Sequence, residues 1–140
     1  MNVDHNQPRG EDRAQARPDA VTLYVCRRCR NAEGDDAEPR PGRLLAEAAA
    51  RAAAGSGVAV TTVSCLGNCK RRLSAAIARP GGWSYVFGGL DVADAAALVD
   101  GASLHAASDN GLLPWRGRPE PLKRGLVARI PPLGFSEGSS

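Results

Sequence analysis

"VTLYVCRRCR", residues 21–30, runs a short β-branched and aromatic stretch straight into two cysteines with two residues between them. Such a stretch suits a buried strand, predicted over residues 21–25 and ending at Cys26. The loop beyond it, "RRCRNAEGDDAEPRPG" (27–42), is too polar and too rich in glycine and proline for regular structure. The pattern then recurs: "VAVTTVS" (58–64) reads as a second strand, and "SCLGNC" (64–69) carries the other two cysteines, with three residues between them. Between the strands lies the strongest helix signal of the chain, "RLLAEAAARAAA" (43–54), stopped by "GSG". Leu44, Leu45, Ala48, Ala49 and Ala52 fall on one stripe of that helix. If this helix joins two neighbouring parallel strands, their C-terminal ends lie at one edge of the sheet and bring both cysteine loops together. Open α/β sheets bind ligands at that edge.

The rest of the chain extends this core. "LSAAIARPGGWSYVFGGL" (73–90) reads as two strands around a Pro-Gly-Gly turn. In it Trp83, Tyr85 and Phe87 alternate with Ser84 and Val86, which places one strand face in the core. "DVADAAALVDGASLHAAS" (91–108) reads as a weaker helix with Asp91 as its N-cap. Residues 109–132 contain five prolines and read as an irregular wrap over the domain. The expected organisation is a disordered lead (1–20), one domain (21–132) and a flexible tail (133–140).

Composition narrows the class. The chain has 140 residues, 43% of them hydrophobic but only 4% aromatic, and 16 of its 18 basic residues are arginine. A net charge of +3 does not suggest nucleic acid as a partner. No apolar run is long enough to span a membrane, and residues 1–20 lack the apolar segment of a secretory signal. The expected compartment is the cytoplasm, where thiols stay reduced and clustered cysteines more often serve metal or redox chemistry.

Four converging thiolates would repel one another unless protonated or bound to a cation, so Cys26, Cys29, Cys65 and Cys69 are the candidate ligands of a metal centre. Zinc accepts four cysteines at these spacings. A two-iron, two-sulfide cluster accepts four as well, and its sulfurs need backbone N–H donors, which Gly67 favours by allowing close backbone approach. Asn68 lies beside it in the same loop. Arg27, Arg28 and Arg30 flank the first pair, and Lys70, Arg71 and Arg72 follow the second. These six cations suit either the counter-charge of an anionic cluster or docking of an acidic redox partner protein. A homodimer is compatible with the sequence.

The layout of a strand, a cysteine pair, a helix, a strand and then "CLGNC" resembles the thioredoxin-like 2Fe–2S ferredoxins and a homologous subunit of respiratory complex I. The first pair departs from that pattern, which usually has four or more residues between its cysteines. "SCLGNCKRRLSAAIARPGGWSYVFGGL" (64–90) and "GLLPWRGRPEPLKRGLVARIPP" (111–132) resemble a bacterial family of small proteins described as predicted metal-binding. The resemblance implies an α/β fold, a single thioredoxin-like domain with a mixed sheet flanked by helices. It also implies a 2Fe–2S protein for one-electron transfer or metal and redox sensing, linked to cobalamin or metal metabolism. A four-cysteine zinc or cobalt protein is the alternative.

A thiol-disulfide oxidoreductase is the rival from another class, since Cys26-Arg-Arg-Cys29 after a first strand has the spacing of a thioredoxin motif. Against it, a dozen loop residues separate Cys29 from the helix whose N-terminus would activate the thiol. Nor does a proline precede a candidate strand where such folds place one. Elsewhere the bland readings win. His105 reads as a satisfied surface or core histidine, and "LLPWRGRP" (112–119) as cover for the sheet, with Arg116 and Arg118 as secondary candidates for anion or partner binding.

Overall fold

The computed structural model describes residues 20–29, 39–68 and 72–136; all but the last residue of the expected disordered lead, and the end of the expected tail, lie outside them. The described residues form five strands and three helices: β1 (Thr22–Cys26), α1 (Pro41–Ala53), β2 (Ala59–Val63), β3 (Ala75–Ala78), β4 (Ser84–Phe87), α2 (Ala95–Ala106), α3 (Pro121–Arg124) and β5 (Leu126–Ile130). The sheet order is β2-β1-β3-β4-β5. β1 and β2 run parallel, and every other neighbouring pair is antiparallel. This is the mixed α/β sheet expected from the sequence, with α1 as the crossover between parallel neighbours.

Register decides what the core contains. Leu23 of β1 stands opposite Ile77 of β3, which stands opposite Tyr85 of β4, so all three project from one face of the sheet. Val25, Ala75 and Phe87 form the next rank on that face, and all six are buried. α1 packs on β1, β2 and α2, and the approach of Gly101 to Ile77 puts α2 on the same side. The opposite face carries Tyr24, Val86 and Ala128 and is more open.

The α1 stripe differs from the sequence reading by one residue. Pro41, Gly42, Leu45, Ala46, Ala49 and Ala53 are buried, whereas Leu44 is 38% exposed and Ala52 faces solvent. The cause is an earlier start. Pro41 supplies the preset φ that favours the first helical position, and Gly42 then seats the helix before Arg43 is reached. At α2 the Asp94 carboxylate accepts the Asp91 N–H at 2.9 Å, so Asp91 does mark the start of a helical segment, a short 3-10 turn (Val92–Asp94) leading into α2.

Residues 109–132 are less irregular than expected, since they contain α3 and β5. The prolines are distributed around these elements: Pro121 opens α3, and Pro131 and Pro132 follow the last residue of β5. Among the described residues β5 pairs only with β4. Arg118 is 8% exposed, and its guanidinium donates to Leu113 O at 2.7 Å and Pro114 O at 3.2 Å. It also stacks over Tyr85 and Trp115. Its role is to tie down the covering loop. No described helix is long and apolar enough to cross a membrane.

His105 is fully buried and lies edge-on to Tyr85. Its Nε2 lies 2.8 Å from Trp83 O; a carbonyl only accepts, so Nε2 carries the proton and Nδ1 is bare in the neutral ring. Nδ1 has no hydrogen-bond partner among the described residues. Burial lowers the His105 pKa below its ordinary value, and Arg79 and Arg118 lower it further against the opposing pull of the Trp83 and Leu112 backbone. The unfolded chain therefore binds a proton here that the folded chain refuses. Stability should be unaffected by this group above a pH of about 6.5 and should fall as the pH drops below that value. Urea midpoints measured at pH 7.5 and 5.5 should differ in that direction, and His105→Asn should flatten the difference.

Candidate metal centre

Three strands fix the first cysteine pair. Cys26 is the last residue of β1; its N–H donates to Ser74 O, just before β3, at 3.1 Å, and the next N–H, of Arg27, donates to Val63 O of β2 at 2.9 Å. The chain then turns tightly, with Cys29 N–H donating to Cys26 O at 3.4 Å. Cys26 and Cys29 are both buried, whereas Arg27 and Arg28 between them are exposed.

The two sulfurs share a hydrogen bond, and that bond splits their acidities. Cys29 donates to Cys26, which lowers the Cys26 pKa to about 6. Burial opposes this shift, and the N–H groups of Leu66, Arg28 and Cys29 add to it. Cys29, as the donor, is pushed strongly upward, first by that bond and then by burial. The Leu66 contribution matters for geometry because Leu66 belongs to the second cysteine loop. That loop also approaches through Ser64, whose carbonyl lies 3.5 Å from Cys26 Sγ.

Cys65 follows immediately and is exposed. Its Sγ accepts the Gly67 N–H at 3.1 Å, and Gly67 takes a φ of 76°, where a side chain would be strained. Asn68 Nδ2 donates to Ser74 Oγ at 3.0 Å. Arg72 is half-buried. Cys69, Arg30, Lys70 and Arg71 lie outside the described residues. Among the described residues no group of three or more His, Cys, Asp or Glu side chains is gathered closely enough to hold a metal ion. The described part of the site is therefore the Cys26–Cys29 pair with the Cys65 loop folded beside it.

Two contributors were missed in the sequence. Ser74, fully buried, stands immediately before β3 and touches both loops. The other is the first turn of α1. The sequence reading placed that helix too far from Cys29 to act on it, yet the Gly42 N–H donates to Cys29 O at 3.0 Å. A Cβ on Gly42 would clash with Cys26 O and fall 2.9 Å from Cys29 N. The helix N-terminus thus rests directly on the cysteine turn, and the Cys29–Pro41 connection begins and ends at that contact. The "PG" at residues 41–42 was the available clue.

The fold has a solved counterpart. A thioredoxin-like [2Fe-2S] ferredoxin from Aquifex aeolicus superposes with a TM-score of 0.54, covering 84% of this chain and 99% of that one at 15% identity. At that identity the likeness is one of fold. No curated protein matches the sequence. The model of one protein family, described as "Protein of unknown function (DUF1636)", matches residues 23–132, from β1 to just past β5. The chain belongs to the DUF1636 family.

Proposed function

We propose that this protein is a ferredoxin-like carrier or sensor of single electrons, holding a 2Fe–2S cluster on Cys26, Cys29, Cys65 and Cys69. The observation that carries the reading is the second cysteine loop folded against the first: Ser64 O lies 3.5 Å from Cys26 Sγ, and the Gly67 N–H donates to Cys65 Sγ at 3.1 Å, with main-chain N–H groups that include Leu66 lowering the Cys26 pKa. Donors fixed by backbone geometry favour negative charge on a sulfur without having to reorganise, as ligands of an anionic cluster require. Cys26, Cys29 and Cys65 match the donor set of such a cluster in type, and the sequence adds Cys69 four residues after Cys65. The cluster would supply one-electron chemistry. The chain sets Cys26 at the end of β1, keeps Cys26 and Cys29 out of water and presents Arg27 and Arg28 at the surface. Those cations suit docking of an acidic redox partner, with binding that weakens as salt rises.

Anaerobic purification tests this reading. The expected product is red-brown, with iron and acid-labile sulfide in equal amounts. Colourless protein holding one zinc or cobalt per chain overturns it in favour of a four-cysteine metal-binding protein.

One observation favours a second reading, a thiol-disulfide oxidoreductase: Cys26 has a pKa lowered to about 6 and the first turn of α1 rests on the Cys26–Cys29 turn. A thiolate at neutral pH is the attacking group of disulfide exchange. Under this reading, metal-free reduced protein is alkylated at Cys26 rapidly at pH 7 and slowly below pH 6, and it reduces a model disulfide. The electron-carrier reading requires no such turnover.

A further inference from the structure

The two edges of the sheet are built differently. β5 carries Arg129 within the strand and is followed by Pro131 and Pro132, and charge and proline keep an open edge from recruiting another chain. β2 has neither device: "VAVTTVS" (58–64) holds no charged residue and no proline. Among the described residues β2 pairs only with β1. In that parallel pairing the Ala59 N–H donates to Val21 O, and Val63 O accepts the Arg27 N–H. Ala59, Thr61 and Val63 therefore turn their main chain toward β1, and Val60 and Thr62 turn theirs outward.

A groove of about 420 Å³ lies along this same edge, between β2 and α1. Ala46 and Ala50 of α1 and Val60 of β2 give it an apolar wall, with Thr62 beside them. α1 starts at the cysteine turn, where the Gly42 N–H meets Cys29 O. Arg43 and Arg27 thus mark that end of the groove, and Ala50 lies about two helical turns further along. Arg43 is paired with Glu47 at 3.3 Å, whereas Arg27 has no ion-pair partner among the described residues. The groove therefore holds one cation that no carboxylate has answered.

We propose that the groove between α1 and β2 binds an extended segment of an acidic partner protein, which adds a strand to β2. The segment pairs with the outward main chain of Val60 and Thr62, packs small apolar side chains on Ala46, Ala50 and Val60, and brings a carboxylate to Arg27. A second copy of this chain is the poorer occupant, because β2 has no acidic residue to bring to Arg27. The proposal rests on the acidic-partner side of the reading above and not on the cluster.

The test is fluorescence anisotropy of a labelled peptide, Thr-Val-Thr-Val-Glu-Glu, titrated with full-length protein as purified. Saturable binding that weakens as salt rises is expected. A peptide with lysine in place of both glutamates should bind about tenfold more weakly, and Arg27→Glu should weaken the acidic peptide by about the same factor. Arg116→Glu, the same charge change at an exposed position outside the groove, should leave its affinity unchanged. Thr62→Pro removes the outward N–H without touching the β1 ladder and should abolish binding; Arg27→Glu serves if that variant does not fold. No saturable binding, equal affinity for the two peptides, or equal effects of Arg27→Glu and Arg116→Glu would overturn the proposal. A dimer of the wild type that Thr62→Pro dissolves in sedimentation would overturn it in favour of a second copy. Iron content is read separately: peptide binding by iron-free protein sustains the proposal where the cluster reading fails, and iron-loaded protein that ignores the peptide does the reverse.

Discussion

Replacing Gly42 by alanine, a single added methyl group, should destabilise the protein and, under the proposed iron–sulfur function, strip it of metal. A Cβ at this position would overlap Cys26 O and sit 2.9 Å from Cys29 N and 3.0 Å from the Arg27 carbonyl carbon. All three are backbone atoms of the cysteine turn, so no side chain can rotate out of the way. Either α1 backs off the sheet or the turn moves with its two sulfurs. Overpacking of this kind costs about 1–3 kcal/mol, which for a domain of this size is a fall in Tm on the order of 5–15 °C. Loss of the Gly42 N–H bond to Cys29 O accompanies the shift. Gly55→Ala provides the comparison. Gly55 has a φ of 77°, and no atom lies within 4 Å of the place a methyl group would take there, so the substitution strains the backbone far from the sulfurs. It should lower the Tm yet leave iron per chain unchanged. Equal iron retention in the two variants would show that the seat of α1 does not govern the site.

The same contact shows which parts of this protein could be read from its sequence. The strands β1 and β2 were legible because β-branched runs end abruptly in polar, cysteine-bearing loops, and their parallel pairing followed from the helix between them. β3 and β4 were legible from an alternating aromatic face around a Pro-Gly-Gly turn. β5 was not: "LVARI" at 126–130 is short and bracketed by prolines, and a strand that pairs on one side alone needs only a weak local preference. The phase of α1 was misjudged because leucine outweighs alanine in any apolar count, whereas the close approach of helix to sheet selects small residues. Leu44 is the larger side chain, and Ala46 and Ala49 are the ones that fit. At the candidate site, where the structure describes Cys26, Cys29 and Cys65, the cysteines stood out in the sequence as residues. Their supporting atoms did not, because they are backbone N–H and carbonyl groups, or a serine within "RRLSAA" (71–76) that nothing local distinguishes. Sequence distance was also a poor guide to spatial distance. Closing a loop costs little more as the loop lengthens, so the eleven residues between Cys29 and α1 do not prevent contact.

Under the proposed iron–sulfur function, Cys65→Ser should remove colour and iron from anaerobically prepared protein almost completely, while sparing both the fold and the thiol chemistry of Cys26. The fold is spared because Cys65 is exposed, and exposed substitutions typically change stability by less than about 0.5 kcal/mol. Metal is lost because a serine hydroxyl stays protonated where a cysteine is readily ionised, which leaves one coordination position without an anionic donor. The acidity of Cys26 is spared because it derives first from Cys29 and then from the N–H groups of Leu66, Arg28 and Cys29, none of which is the Cys65 side chain. Cys29→Ala is the contrasting variant. It deletes a buried ligand and with it the S–H donor that lowers the Cys26 pKa, so it should abolish iron binding and also slow alkylation of Cys26 at pH 7. The pair of variants therefore separates the two chemistries that one fold permits. Iron lost in both, with rapid Cys26 alkylation kept only in Cys65→Ser, assigns the second loop to a metal centre. Full iron and sulfide retained in Cys65→Ser would remove Cys65 from the ligand set and overturn the four-cysteine assignment.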